Sequence, residues 1–261
     1  MKRSVLGTVF CTLFCILLIF SVGASNPIGW YCVRNKEHRQ PSLDSNLQFI
    51  EKYNAYYVDT IHSDSNTDKV VYLTFDVGYE NGNVERILDV MKEENVKGAF
   101  FILGNLLEKE PALVQRMISD GHIIGNHTYS HKDMTKCENI ESFDSELKKL
   151  SDKYKEVIGS DMPKYYRPPE GKFDERTLSY ADSLGYKTIF WSFAYADWDN
   201  SNQPSAEYAK NKIYENIHNG AVILLHPTSK TNADILRDII IKLRSDGYRF
   251  ASLDELTENK R

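Results

Sequence analysis

Beyond residue 68 the chain alternates short apolar runs with longer amphipathic ones. Val70-Val71-Tyr72-Leu73-Thr74-Phe75 reads as a strand, whereas Asn83 to Glu94 sets Val84, Ile87, Leu88 and Met91 on one side of a helix. The alternation repeats, with strands over 97–103 and 122–126, one ending at Tyr165-Tyr166, and others over 187–191, 220–225 and 248–251. Helices are expected over 111–120, 140–158, 175–184, 205–217 and 232–244. Strand and helix alternating at this spacing imply parallel strands with crossover helices, an α/β domain closed into a barrel or left open as a doubly wound sheet. Gly98, Gly121, Gly185 and Gly247 each fall between a helix and the next strand, where C-cap glycines belong.

The first part of the chain has a different texture. Met1-Lys2-Arg3 is basic, and Val5 to Val22 carries no charged side chain before the small residues Gly23-Ala24-Ser25. That order reads as an export signal. The apolar stretch also approaches the length of a spanning helix. Residues 1–24 are therefore read as a cleaved signal peptide or as a membrane anchor through residues 4–22, and either way the remainder is exported. From Ser25 to Asp68 the sequence is polar, with Tyr31, Tyr53, Tyr56 and Tyr57 in no sustained period. This predicts an ordered but irregular extension, residues 25–68, whose aromatics pack on a single catalytic domain, residues 69–258.

Composition narrows the function classes. A chain of 261 residues that is 41% hydrophobic and 12% aromatic supplies a core, so disorder is not the default reading. The formal net charge of −5 becomes −7 once Lys2 and Arg3 leave with the leader, against a nonspecific nucleic-acid binder. Of four cysteines, Cys11 and Cys15 lie in the leader, leaving Cys32 and Cys137 either to form one bridge or to stay free.

The candidate chemistry sits in one kind of place. Asp76, His127 and His131, Arg167, Asp197 with Trp198, and His226 each fall at or just after the end of an expected strand. In a (β/α) barrel those ends form one rim, the usual address of an active site. His127 and His131, four apart, are expected on one face of a helical turn, where both imidazoles could reach one divalent ion. Residue by residue, blander roles stay open: a turn carboxylate for Asp76, a surface ion pair for Arg167, a hydrogen-bonded core residue for His226, a core position for Trp198. His122 has no partner motif and is assigned to structure, and His38, His62 and His218 lie outside the rim and are read as solvated or locally bonded.

Taken together, these residues resemble the polysaccharide deacetylase family of NodB-like carbohydrate esterases. Thr74-Phe75-Asp76-Val77-Gly78 is similar to its T-F-D-D-G, and His127-Thr128-Tyr129-Ser130-His131 to H-[ST]-x-x-H. Arg167-Pro168-Pro169-Glu170-Gly171, Asp197-Trp198 and Leu224-Leu225-His226 are similar to R-x-P-x-[GY], D-W and L-x-H, so the resemblance spans about Val70 to Leu256. It implies a NodB-homology domain with a distorted (β/α) barrel. Tyr79-Glu80-Asn81-Gly82 and Trp191-Ser192 resemble the sporulation branch that makes muramic-δ-lactam. The implied reaction is removal of acetate from N-acetylmuramic acid in the peptidoglycan glycan strand, after an amidase has stripped the stem peptides; the motifs shared by the whole family also allow a deacetylase of N-acetylglucosamine in peptidoglycan or chitin-like glycan, and Val77 leaves open a non-catalytic carbohydrate-binding protein on the same fold.

The resemblance also implies roles. Asp76 is the general base, Arg167 holds it, His226 is the acid that protonates the leaving nitrogen, and Asp197 orients His226. His127 and His131 are metal ligands; Tyr79 and Trp198 contact the sugar. The second Asp of T-F-D-D-G, the usual third ligand, is Val77 here. A divalent metal, zinc by its ligand types, is accordingly expected to be weakly held.

Overall fold

The computed structural model describes residues 26–34 and 36–258, so the leader reading for residues 1–24 lies outside the described residues. Among those described, no helix is long and apolar enough to cross a membrane. The strands are β1 Ile28–Gly29, β2 Ala55–Tyr56, β3 Lys69–Val77, β4 Ala99–Ile102, β5 Ile123–Asn126, β6 Tyr165–Tyr166, β7 Lys172–Phe173, β8 Lys187–Ile189, β9 Ala221–Leu225 and β10 Tyr248–Phe250. The helices are α1 Asn83–Glu93, α2 Gly104–Lys109, α3 Pro111–Ser119, α4 Ile140–Ile158, α5 Glu175–Ser183, α6 Ala206–Asn216, α7 Lys230–Ser245 and α8 Leu253–Glu258.

Eight strands make one parallel sheet in the order β10-β3-β4-β5-β6-β8-β2, with β9 also paired to β3. The sheet curls until two isolated bridges, Phe193 to Ile223 parallel and Val58 to Ala221 antiparallel, join the β8–β2 side to β9. This is the distorted (β/α) barrel, with its closing seam reduced to isolated bridges.

Side-chain alternation sorts the strands into two layers. On β3, Val71, Leu73, Phe75 and Val77 pack outward against the helices. Val70 and Tyr72 turn inward and, with Phe101, Tyr165, Ile189 and Val222, plug the barrel. Gly125 of β5 follows from that plug, because a Cβ there would come within 2.5 Å of the Phe101 ring. Positions that continue the inward parity past the plug necessarily face the mouth. These are Thr74 and Asp76, His127 after Gly125, Arg167 after Tyr165, Trp191 after Ile189, and Leu224 and His226 after Val222.

Two expectations change and one open alternative is decided. The extension is less irregular than its composition implied: Ala55–Tyr56 joins the main sheet beside β8, and Ser45–Lys52 forms a 3-10 helix. Its Trp30 stacks on Phe190 with ring centroids 4.3 Å apart. Gly98 is not a helix cap; Asn95, at φ 48, takes the left-handed turn after α1. Gly98 is needed for closeness instead, since a Cβ would sit 2.7 Å from the Leu73 carbonyl oxygen. Cys32 and Cys137 are both free thiols.

Candidate active site

The mouth holds a cavity of about 590 Å³ lined by Asp76, His127, His131, Trp191, Trp198 and His226, among others. Of the residues expected on the rim, Arg167 and Asp197 stand behind this wall, each supporting a residue in it.

Arg167 is wholly buried, which removes the surface-pair reading. Its guanidinium donates to Asp76 Oδ1 at 2.8 Å, to Thr74 Oγ1 at 2.9 Å and to the Ile189 carbonyl at 2.9 Å, and lies 4.2 Å from the Phe101 ring centroid. Burial pushes the Asp76 carboxyl up, but the positive charge and hydrogen bond of Arg167 lead the contributions that outweigh it and hold the carboxyl below its ordinary range. Asp76 is thus ionised and aimed into the cavity.

His226 is supported the opposite way round. Its Nδ1–H donates to Asp197 Oδ1 at 2.7 Å and its backbone N–H to Asp197 Oδ2 at 2.8 Å, leaving Nε2 for the cavity. Burial pulls the imidazole pKa down, but the hydrogen bond and charge of Asp197 outweigh that and raise it. Asn232, in the first turn of α7, donates to Asp197 Oδ2 at 2.6 Å and to the His226 carbonyl at 3.0 Å, while Tyr195 Oη donates to Asn232 Oδ1. No motif points to Asn232; only folding brings α7 under the loop that carries Asp197.

The His127–His131 segment is a loop, not a helical turn. Local side chains capture the backbone groups that a helix would use. Thr128 N–H donates to Asn126 Oδ1 and His131 N–H to Thr128 Oγ1, both at 2.9 Å, with Thr128 at φ 73 and His131 at φ 57. Glu146 of α4 holds the tip, accepting from Tyr129 N–H and Ser130 N–H at 3.2 Å and from Ser130 Oγ at 2.7 Å. Glu146 gave no signal in the sequence beyond one more charge on a charged helix.

The two imidazoles stand edge to face with centroids 5.0 Å apart. His127 Nδ1 is 2.9 Å from the Arg167 carbonyl, to which it donates, so Nε2 keeps its lone pair 3.5 Å from Asp76 Oδ2. Burial depresses the His127 pKa to about 4, so the ring is neutral at pH 7, as a ligand must be. This donor pair fits a divalent ion. Val77 lies in the apolar layer under the helices, and no group of three His, Cys, Asp or Glu donors able to hold an ion is found among the described residues.

Trp198 is 62% exposed beside the cavity, with its ring centroid 6.3 Å from that of His226, so it is no core residue. Tyr79 does not line the cavity. It accepts a hydrogen bond from Asn200 Nδ2 at 2.5 Å, tying the loop after β3 to the loop that carries Trp198. The other histidines serve structure: His122 against Phe100, His218 between the Asn219 carbonyl and Ser192, His38 on the Ile217 carbonyl, and His62 on Asp59.

Residues 63–189 match the family model described as polysaccharide deacetylase. The chain is 42% identical over 260 residues, 96% of each chain, to an uncharacterized 30.6 kDa protein of Geobacillus stearothermophilus. It is 37% identical over 96% of each chain to the peptidoglycan-N-acetylmuramic acid deacetylase PdaA of Bacillus subtilis. The solved structure of B. subtilis PdaA, described as a family 4 carbohydrate esterase, superposes with a TM-score of 0.83 over 90% of this chain and 99% of that one, at 39% identity. A peptidoglycan-N-acetylglucosamine deacetylase of Bacillus cereus is 35% identical over 82% of this chain and 76% of its own.

Proposed function

The chain belongs to the polysaccharide deacetylase family, a family of carbohydrate esterases that hydrolyse N-acetyl groups, and on that premise we propose that it deacetylates N-acetylmuramic acid in peptide-stripped peptidoglycan, leading to the muramic-δ-lactam of spore cortex. The carrying observation is a pair of oppositely tuned groups on one cavity: Asp76 kept ionised by Arg167, and His226 shifted towards its protonated form by Asp197. Amide hydrolysis requires both, one to take a proton from water and one to give a proton to the departing amine.

In this mechanism Asp76 Oδ2, the oxygen not engaged by Arg167 NH1, accepts a hydrogen bond from the attacking water and then its proton. Arg167 keeps the carboxylate charged and fixed. His226 Nε2–H donates to the amide nitrogen as the C–N bond breaks, and Asp197 with Asn232 steadies the imidazolium before transfer. A divalent metal, zinc by its ligand types, would be held by His127 and His131 and would supply Lewis-acid polarisation of the acetyl carbonyl. Trp198 offers its face to the pyranose ring.

The muramic assignment has two supports. The relative bearing that activity in its name aligns over 96% of this chain, extension included, whereas the B. cereus glucosamine deacetylase aligns over 82%. The segment after Asp76 and the Trp191-Ser192 pair also carry the resemblance to the lactam branch. An exported place of work, the glycan strand as partner, and a preceding amidase belong to the same reading. The test is acetate release, with sugars identified by mass, from peptide-stripped glycan, intact peptidoglycan and chitin oligomers. Release from stripped glycan alone is expected; equal rates on chitin oligomers would shift the substrate to N-acetylglucosamine.

A further inference from the structure

A second, smaller cavity of about 180 Å³ shares two walls, Trp191 and Ala194, with the catalytic one. Its far side is supplied by the N-terminal extension, through Tyr31 and Arg34 among others. The segment there is extended, and every second residue is sewn to the chain between β8 and β9. Trp30 Nε1 donates to the Trp191 carbonyl at 2.8 Å, Cys32 Sγ to the Ser192 carbonyl at 3.2 Å, and Arg34 NH1 to the Ala194 carbonyl at 2.7 Å. The Arg34 guanidinium carbon also lies 5.4 Å from the centroid of the buried Phe193 ring.

These contacts fix the head of Arg34 in the wall of the small cavity, next to the catalytic one, without using up its donors, since a guanidinium carries five N–H groups. Among the described residues lining the two cavities, Arg34 is the one with a permanent positive charge. We propose that Arg34 and the small cavity form an anion subsite that reads the 3-O-lactyl carboxylate of the sugar being deacetylated. The inference rests on the muramic reading above. Its geometry follows from the sugar: the lactyl ether hangs from the ring carbon next to the one bearing the acetamido group, so a group that reads it must adjoin the catalytic cavity. A planar fork matches a carboxylate, which an ammonium or a neutral amide matches less well. A stem peptide on that carboxyl would abolish the charge and lengthen the substituent beyond what a cavity of 180 Å³ can hold.

The experiment compares full-length wild type, Arg34→Gln and Arg34→Lys on peptide-stripped glycan with its lactyl carboxyls either free or methyl-esterified, reading acetate release. Wild type is expected to favour the free acid in kcat/KM by about tenfold or more, as one charged hydrogen-bonded contact warrants. Arg34→Gln should collapse that ratio towards one, and Arg34→Lys should fall between. Thermal melts keep loss of fold apart from loss of discrimination. Arg34→Gln with the wild-type ratio, or wild type with no preference, overturns the subsite and leaves the muramic reading standing. Wild type that releases acetate from chitin oligomers but from neither muramic substrate overturns the reading and the subsite with it.

Discussion

Two histidine–aspartate pairs with the same 2.7 Å contact occupy opposite ends of the barrel. At the mouth, His226 Nδ1 meets Asp197; at the floor, His62 Nδ1 meets Asp59. Both carboxylates are almost wholly buried and both accept backbone N–H groups, from His226 in one case and from Ile61 and His62 in the other. What separates them is the other ring nitrogen. His62 Nε2 is spent on Arg249, whose guanidinium lies 3.3 Å away and can only donate, with Asp68 Oδ2 also 3.3 Å off, while Tyr72 Oη donates to Asp59 Oδ2. His226 Nε2 is left to a cavity with an ionised Asp76 across it. A charged pair becomes catalytic machinery through the valence that the fold leaves unsatisfied, and a satisfied pair of the same length is a fastener.

The strongest way to break this contrast is to remove the carboxylate facing His226. Asp76→Asn is expected to lower turnover by about 10³-fold. It should also cost about 3 kcal/mol of stability, because the buried Arg167 charge would lose its partner. Acetate release and a denaturant melt on the same preparation check both, and near wild-type turnover would remove Asp76 from the mechanism.

Exchanging the two histidines one at a time sharpens the comparison. His226→Gln should lower kcat by about 10²-fold. His62→Gln should leave kcat near wild type and reduce stability by about 1–3 kcal/mol through loss of the imidazole's hydrogen bond to the buried Asp59 carboxylate. If both variants lose turnover equally at matched folded fractions, the distinction between machinery and fastener fails.

Next in size is the metal. His131→Ala should weaken zinc binding by about tenfold or more, read by equilibrium competition with a chromophoric chelator. Unchanged affinity would place the ion elsewhere.

The smallest effect is on pH dependence. Because the His226 pKa is raised, the proton donor is intact below about 6.5 and its contribution, to folding as to rate, is lost as pH rises through the raised value. Asp197→Asn removes the raising charge and should move that alkaline limb to lower pH. A limb that stays in place would mean another group titrates there.

The parallel α/β order and the strand-end positions of Asp76, His127, Arg167 and His226 were legible because two local rules suffice. Apolar runs mark buried strands, and a period of two sends residues at one parity to one side of the sheet. Tyr72 to Asp76, Gly125 to His127, Tyr165 to Arg167 and Val222 to His226 are such same-side steps, so the sequence alone sends four functional groups to the same end of the barrel interior once the strands are parallel. The helical reading of His127–His131 failed because spacing cannot show that Asn126 and Thr128 will capture the backbone first. Asn232, Glu146 and Arg34 were invisible for a different reason. Each acts across a gap in the chain, from the first turn of α7, the middle of α4 and the extension, and none carries a local pattern that distinguishes it from an ordinary polar surface residue. The sequence by itself determined which groups go to that end of the barrel interior, since parity is a property of neighbours along a strand. Only the tertiary structure decided which of them are held, by what, and with which nitrogen or oxygen left open, because hydrogen-bond valence is filled by whatever the fold brings within 3 Å.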